Sequence, residues 1–186
     1  MAFRILRRRT LAAGARPRLD RDERIVAWAS TSDSSADAAP TAVVVTNRGV
    51  WLPGRKGRLG WHEIHKATWA APRLTVVPAA VVGTGQRYAV VADEPPVVVS
   101  LADPDDVPIQ VRNRVTRSVA YTEHHAVPGG GARVVARRVP GVDGVTWHVR
   151  FDDGTDASDP EVAEATAELV AAAAAAKAAP IMTPGS

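Results

Sequence analysis

The stretch Thr41 to Ile64, TAVVVTNRGVWLPGRKGRLGWHEI, constrains the fold more than any other part of this 186-residue chain. Val43, Val44 and Val45 form a β-branched run, stiff at χ1 and suited to a pleated surface, and read as a strand. Asn47-Arg48-Gly49 follows as a hairpin turn, an Asn that tolerates left-handed backbone and a Gly that adopts it freely, before apolar residues resume at Val50, Trp51 and Leu52. Pro53-Gly54 ends that strand, Arg55-Lys56-Gly57-Arg58 makes a polar loop, and Leu59 to Ile64 takes up the pattern again. The expected product is a three-stranded antiparallel meander.

Strands are expected on both sides of it. Arg24 to Ser30 reads as one, with Ile25, Val26 and Trp28 as core candidates, followed by a Ser/Asp/Ala loop over Thr31 to Pro40. Lys66 to Trp69 and Arg73 to Val77 read as further strands, Val81 to Gly85 as a turn-bearing link, and Tyr88 to Ala92 with Val97 to Leu101 as another hairpin. About seven short, turn-linked strands are the signature of an all-β sandwich or barrel. A helix is then expected from Val107 to about Glu123, capped by Asp105 or Asp106 and with Pro108 in its first turn. Val107, Val111, Val115 and Val119 recur every four residues, with Thr122 continuing that face, while Gln110, Arg112, Asn113 and Arg117 point away.

Pro128-Gly129-Gly130-Gly131 reads as a linker. Beyond it, Ala132 to Val139 and Val145 to Phe151 form an expected hairpin with Val134, Trp147, Val149 and Phe151 at alternate positions. Asp159 or Ser158 then caps a helix that begins at Pro160 and carries a thin apolar stripe of Val162, Ala165, Leu169 and Ala172 or Ala173. A hairpin and one helix bury too little apolar area to stand alone, so this ββα unit is expected to dock on the main domain. The resulting division is a disordered basic arm over 1–21, a main domain over 22–127, a linker over 128–131, the extension over 132–179 and a frayed tail over 180–186.

The pattern VVVTNRG, then a strand ending Leu52-Pro53-Gly54, then Gly60-Trp61-His62-Glu63-Ile64 resembles the first sheet of bacterial pleckstrin-homology-like (PH-like) domains. In that group a T-x-x-G turn precedes W-x-E-I, as Thr46 to Gly49 and Trp61 to Ile64 stand here, and the likeness covers roughly Asp22 to Val127. The resemblance implies a mainly β (α+β) fold: a bent seven-stranded β-sandwich or open barrel closed by one helix, here with the ββα extension added.

No catalytic constellation accompanies this architecture. The absence of cysteine removes disulfides, zinc-thiolate sites and thiol catalysis, and suits a reducing cytoplasm. His62-Glu63-Ile64-His65 lacks the spacing of a helical zinc motif, and His124-His125 are expected at a helix C-terminus, interacting with its last carbonyls. Neither Gly83-Thr84-Gly85 nor Gly129-Gly130-Gly131 has the Lys-Ser/Thr of a phosphate loop. Asp103, Asp105 and Asp106 suit helix capping better than calcium, and Trp28, Trp51 and Trp61 suit a core better than base stacking. No cofactor and no metal are expected.

Charge supplies the remaining hints. The net charge of +3 divides into an arginine-loaded start and an acidic C-terminal region that includes Asp152, Asp153, Asp156 and Glu161. Arg7, Arg8 and Arg9 in the arm, and Arg55, Lys56 and Arg58 in the hairpin loop, are the candidate anion- or lipid-binding residues. Phosphoinositide-binding PH domains hold their ligands with basic residues near their first loops, which the charge of this loop resembles, although it joins the third and fourth strands. The expected function is therefore a non-enzymatic binding or scaffold module, cytoplasmic, that engages a protein partner or a second copy of itself. The alternative is a peripheral binder of anionic membrane at the inner face; nucleic acid is disfavoured.

Overall fold

The computed structural model describes residues 10–32 and 41–178. Eight strands precede the first α-helix: β1 (Ile25–Ser30), β2 (Ala42–Thr46), β3 (Gly49–Trp51), β4 (Leu59–Gly60), β5 (Ile64–Ala70), β6 (Arg73–Gly85), β7 (Tyr88–Asp93) and β8 (Val97–Ser100). Then come α1 (Val107–Ser118), β9 (Val119–Val127), β10 (Gly130–Arg137), β11 (Thr146–Phe151) and α2 (Pro160–Ala178). They form a four-stranded sheet, β1-β2-β3-β4, and a curled seven-stranded sheet in the order β5-β6-β7-β11-β10-β9 with β8 added to β6. The fold is mainly β, its larger sheet a half-barrel, and this curled sheet with its helix is compatible with the PH-like plan.

The expected meander is present, but its third strand is only Leu59–Gly60, since Trp61–Glu63 form a 3-10 turn and Ile64 opens β5 in the other sheet, and its first turn works differently from the sequence reading. Neither Asn47 nor Gly49 has positive φ. Asn47 instead ties the turn to the start of β1, accepting from Arg24 N at 2.7 Å and donating to Asp22 O at 3.0 Å. Gly49 is required by close approach, because a Cβ there would lie 2.2 Å from the Leu59 carbonyl of the neighbouring strand. In β1 the fully buried residue is Ala29, with Val26 and Ala27 packed alongside, whereas Trp28 is only half-buried.

The first core lies between the two sheets and is closed by α1. Val107, Val111 and Val115 of α1 meet Val43, Val45, Val50, Leu59, Ile64, Leu74 and Val76. Each such side chain, fully buried, contributes roughly 1.5–3 kcal/mol. Asp106 stands at the N-cap, with Pro108 in the first turn as expected.

The helix stops at Ser118 rather than near Glu123. Val119 is already extended (φ −76°, ψ 118°), and Val119, Thr122, His124 and His125 belong to β9. A valine every fourth residue fits a strand face as well as a helix stripe, since four is a multiple of the strand period of two. Likewise β6 runs unbroken through Val81–Gly85, the expected link, and turns only at Gln86-Arg87, where Arg87 takes the left-handed backbone at φ 69°.

The Pro128–Gly131 stretch is a hairpin turn, not a linker. Gly129 supplies the positive φ (69°) and Gly130 already pairs with Val127, so β9 and β10 form one antiparallel ladder. The C-terminal unit therefore has three strands, and it joins the main sheet through parallel pairing of β11 with β7 at His148↔Ala89 and Val149↔Val90. A second core, Tyr88, Val127, Ala132, Val134, Val149, Val162 and Val170, forms where α2 covers one face of these strands. The buried residues of α2 are Val162, Thr166, Val170 and Ala173; of the expected stripe Val162 and Ala173 are buried and Leu169 packs partly buried against this core, while Thr166 and Val170 take the central places. Thr166 is tolerated there because its hydroxyl donates to Val162 O at 2.7 Å.

Candidate functional site

Of the six basic residues expected to bind anions, Arg7, Arg8 and Arg9 lie outside the described residues. The structure brings Arg55, Lys56 and Arg58 into the loop between β3 and β4 but binds both arginines to acids. Arg55 pairs with Glu94 at 2.8 Å, and Arg58 with Asp20 at 2.8 Å and Glu23 at 2.7 Å. Lys56 alone of the three is exposed.

Glu23 is the centre of that arrangement. Its side chain is fully buried and accepts from Thr46 Oγ1 at 2.7 Å and Trp51 Nε1 at 3.1 Å as well as from Arg58. Burial by itself would raise its pKa. The hydrogen bonds from Thr46, the Asp20 backbone and Trp51, with the Arg58 charge, outweigh burial and hold the carboxyl below its ordinary value. Thr46 Oγ1 also accepts from the Arg48 and Gly49 amides, both at 3.1 Å, so the TNRG turn and the arginine loop are fastened to one carboxylate.

A second group of arginines is arranged in the opposite way. Along β10, Ala132, Val134 and Ala136 are fully buried, the first two in the core beneath α2, while Arg133, Val135 and Arg137 occupy the alternate positions. The ladder places Arg150 opposite Arg133 and His148 opposite Val135 on β11, and Thr122 and Val119 opposite Val135 and Arg137 on β9. One face of this hairpin pair is therefore apolar and covered by α2, and the other is cationic. With Val91 of β7 and His65 of β5, these residues line a cavity of about 200 Å³ whose lining holds three arginines and no acid.

Arg137 is only 5% exposed. It donates to Ser118 Oγ at 2.9 Å, and among the described residues no carboxylate pairs with it. Burial pulls its guanidinium below its ordinary pKa. Asp93, beside the cavity, is shared by His65 Nδ1 and Arg150, the latter at 3.4 Å. His148 Nδ1 is buried with no hydrogen-bond partner among the described residues, as is His62 Nδ1 nearby. Desolvation first, then the Arg137 charge and the neighbouring His62 and His65, push His148 down to about 4, so it is neutral at physiological pH. The described residues contain no group of three or more His, Asp or Glu that could hold a metal.

Sequence reasoning missed this face because Arg133, Arg137, His148 and Arg150 are scattered over two strands. The signal was nonetheless present: ARVVAR and TWHVRF alternate apolar with basic at the strand period, which marks a sheet with one oily and one cationic side.

The curled sheet also leaves an open edge. β5 pairs with β6 only as far as Ile64↔Pro78, and β7 and β8 lie together on the opposite side. From Ala79 to Gly85 the outer side of β6 has no ladder partner among the described residues. The register with β7 shifts between Val81 and Gly83, leaving Val82 as a bulge, and Val81 and Val82 are each 63% exposed. No described helix is long and apolar enough to cross a membrane. Comparison with protein-family profiles, curated proteins and solved structures returns no match to the chain.

Proposed function

We propose that the chain is a non-enzymatic binding module, PH-like in plan, that engages an extended segment of a protein partner or of a second copy of itself by strand addition to β6. The observation that carries this reading is the edge over Ala79–Gly85, which has no ladder partner among the described residues, with Val81 and Val82 displayed on it. An uncharged, apolar edge offers unpaired backbone donors and acceptors to an incoming strand, and proteins that do not use such an edge normally blunt it with lysine, proline, a bulge or a covering loop, of which this stretch carries the Val82 bulge but no lysine or proline. The helix α1, seated on the first core as a lid, supports the PH-like part of the reading.

Sedimentation of the full chain over a concentration series, with crosslinking in lysate of the source cell, tests it. The wild type should self-associate or give a specific crosslinked species, and Val81→Lys/Val82→Lys should lose that species while keeping its fold. A monomeric wild type whose crosslinks are unchanged in the variant would defeat the reading. Binding to anionic membrane, the alternative, rests on Arg7, Arg8 and Arg9, since Arg55 and Arg58 already have carboxylate partners. Its mark would be pelleting with anionic vesicles that falls with salt and is lost when those three arginines become glutamine.

A further inference from the structure

We propose that the cavity between β5 and the β9–β11 face is a binding site for a phosphate group, held by Arg133, Arg137 and Arg150 with Thr122 and His148 beside them. Burying an unpaired charge is among the costliest things a fold can do, and the cost is met when a counter-charge arrives. Arg137 is such a charge: it is almost wholly withdrawn from solvent, and among the described residues its side chain makes one hydrogen bond, to a neutral hydroxyl. Among the described residues the three guanidiniums make one ion pair, Arg150 with Asp93 at 3.4 Å, and no carboxylate lines the cavity, leaving a surplus of two positive charges without a paired acid before the histidines are counted.

That surplus matches a dianion. A carboxylate would leave one charge uncompensated, whereas phosphate supplies two and presents oxygens in several directions to donors arriving from two strands. The cavity of about 200 Å³ admits a phosphate and a small ester substituent but not a helix or an acyl chain. Thr122 contributes a hydroxyl that can donate or accept, and His148 a buried ring nitrogen without a partner among the described residues. No residue of β6 lines the cavity, so this inference and the strand-addition reading fail or stand separately.

Calorimetric titration of the full chain with inorganic phosphate, at constant ionic strength and neutral pH, is the test, with acetate as the competing anion. One phosphate should bind per chain and acetate should not. Arg133→Gln/Arg150→Gln, two exposed positions that leave both cores untouched, should weaken phosphate at least about tenfold, and Arg137→Met should abolish measurable binding. Arg112→Gln, on the exposed side of α1, should bind as the wild type does. Phenyl phosphate separates the sources: binding as tight as that of the free ion points to a phosphate ester, and its exclusion points to free phosphate, either result keeping the site. Equal binding of phosphate and acetate, no binding by the wild type, or an unaltered affinity in the double variant would overturn it.

Discussion

The two arginine groups of this molecule differ less in number than in company. Arg55 and Arg58 share one short loop and are conspicuous, yet each ends on a carboxylate within 2.8 Å. Arg133, Arg137 and Arg150 are dispersed and inconspicuous, yet their cavity contains no acid in its lining. A basic loop on a hairpin tip is free to find acids, and here it serves to fasten the N-terminal residues 20–23 to the first sheet. Positive charge on a strand face cannot move away from its neighbours, because the ladder fixes which face each side chain occupies. Uncompensated charge, rather than clustered charge, is therefore the better mark of a binding site.

The comparison breaks most severely at Glu23. Glu23→Gln removes the charge on which Arg58, Thr46 and Trp51 converge, and should lower unfolding free energy by about 3 kcal/mol in urea denaturation. The pH dependence has a definite sign. Glu23 in the folded chain lies below its ordinary value of 4.5, so its contribution is complete above that value and is lost as pH falls through the folded one. The acid limb of the stability curve should be flatter in Glu23→Gln. A substitution that costs less than about 1 kcal/mol would mean that the loop arginines are no better anchored than ordinary surface pairs.

Arg137→Met should behave in the opposite manner. It removes a buried charge whose only side-chain hydrogen bond among the described residues is to Ser118 Oγ, and Ser118 keeps its own bond to Val115 O at 2.7 Å. In buffer without phosphate, stability should be unchanged or raised by about 1 kcal/mol, read as a shift in urea midpoint at constant slope. A loss of about 3 kcal/mol would show that the fold itself compensates the charge, and the distinction between the two arginine groups would disappear.

What the sequence made legible follows the same physics. The meander as far as Gly60, the valine stripe of α1 and the alternate apolar positions Val134, Trp147, Val149 and Phe151 could be read because each apolar period maps onto one buried face. The end of α1 could not, since Val119 continues a spacing of four that helix and strand both accommodate. The Gly-rich turn at Pro128 looked like a boundary because composition does not distinguish a hairpin turn from a linker; the ladder from Val127 to Gly130 decides it. Arg55 and Arg58 were legible as a cluster but not as ion pairs, because Glu94 and Glu23 are far away in sequence and reach them only through the fold. The cationic face was legible in the alternation of β10 and β11, although not the cavity, which needs His65 from β5 brought across the curled sheet.

The smallest effect is also the most direct report on that cavity. His148 should titrate near 4 in a proton NMR experiment, its burial first and the Arg137 charge second depressing it from 6.5. As pH falls below 6.5 the unfolded chain takes up a proton that the folded chain refuses until about 4, so this residue lowers stability across that interval and His148→Phe should remove the dependence. Arg137→Met should raise the midpoint by a fraction of a pH unit, since desolvation, the larger cause, stays in place. Phosphate should raise it as well, because a bound dianion favours the imidazolium. Wild-type titration near the ordinary histidine value would show water reaching the ring, and with it the guanidinium alongside, leaving no unpaid charge for an anion to neutralise.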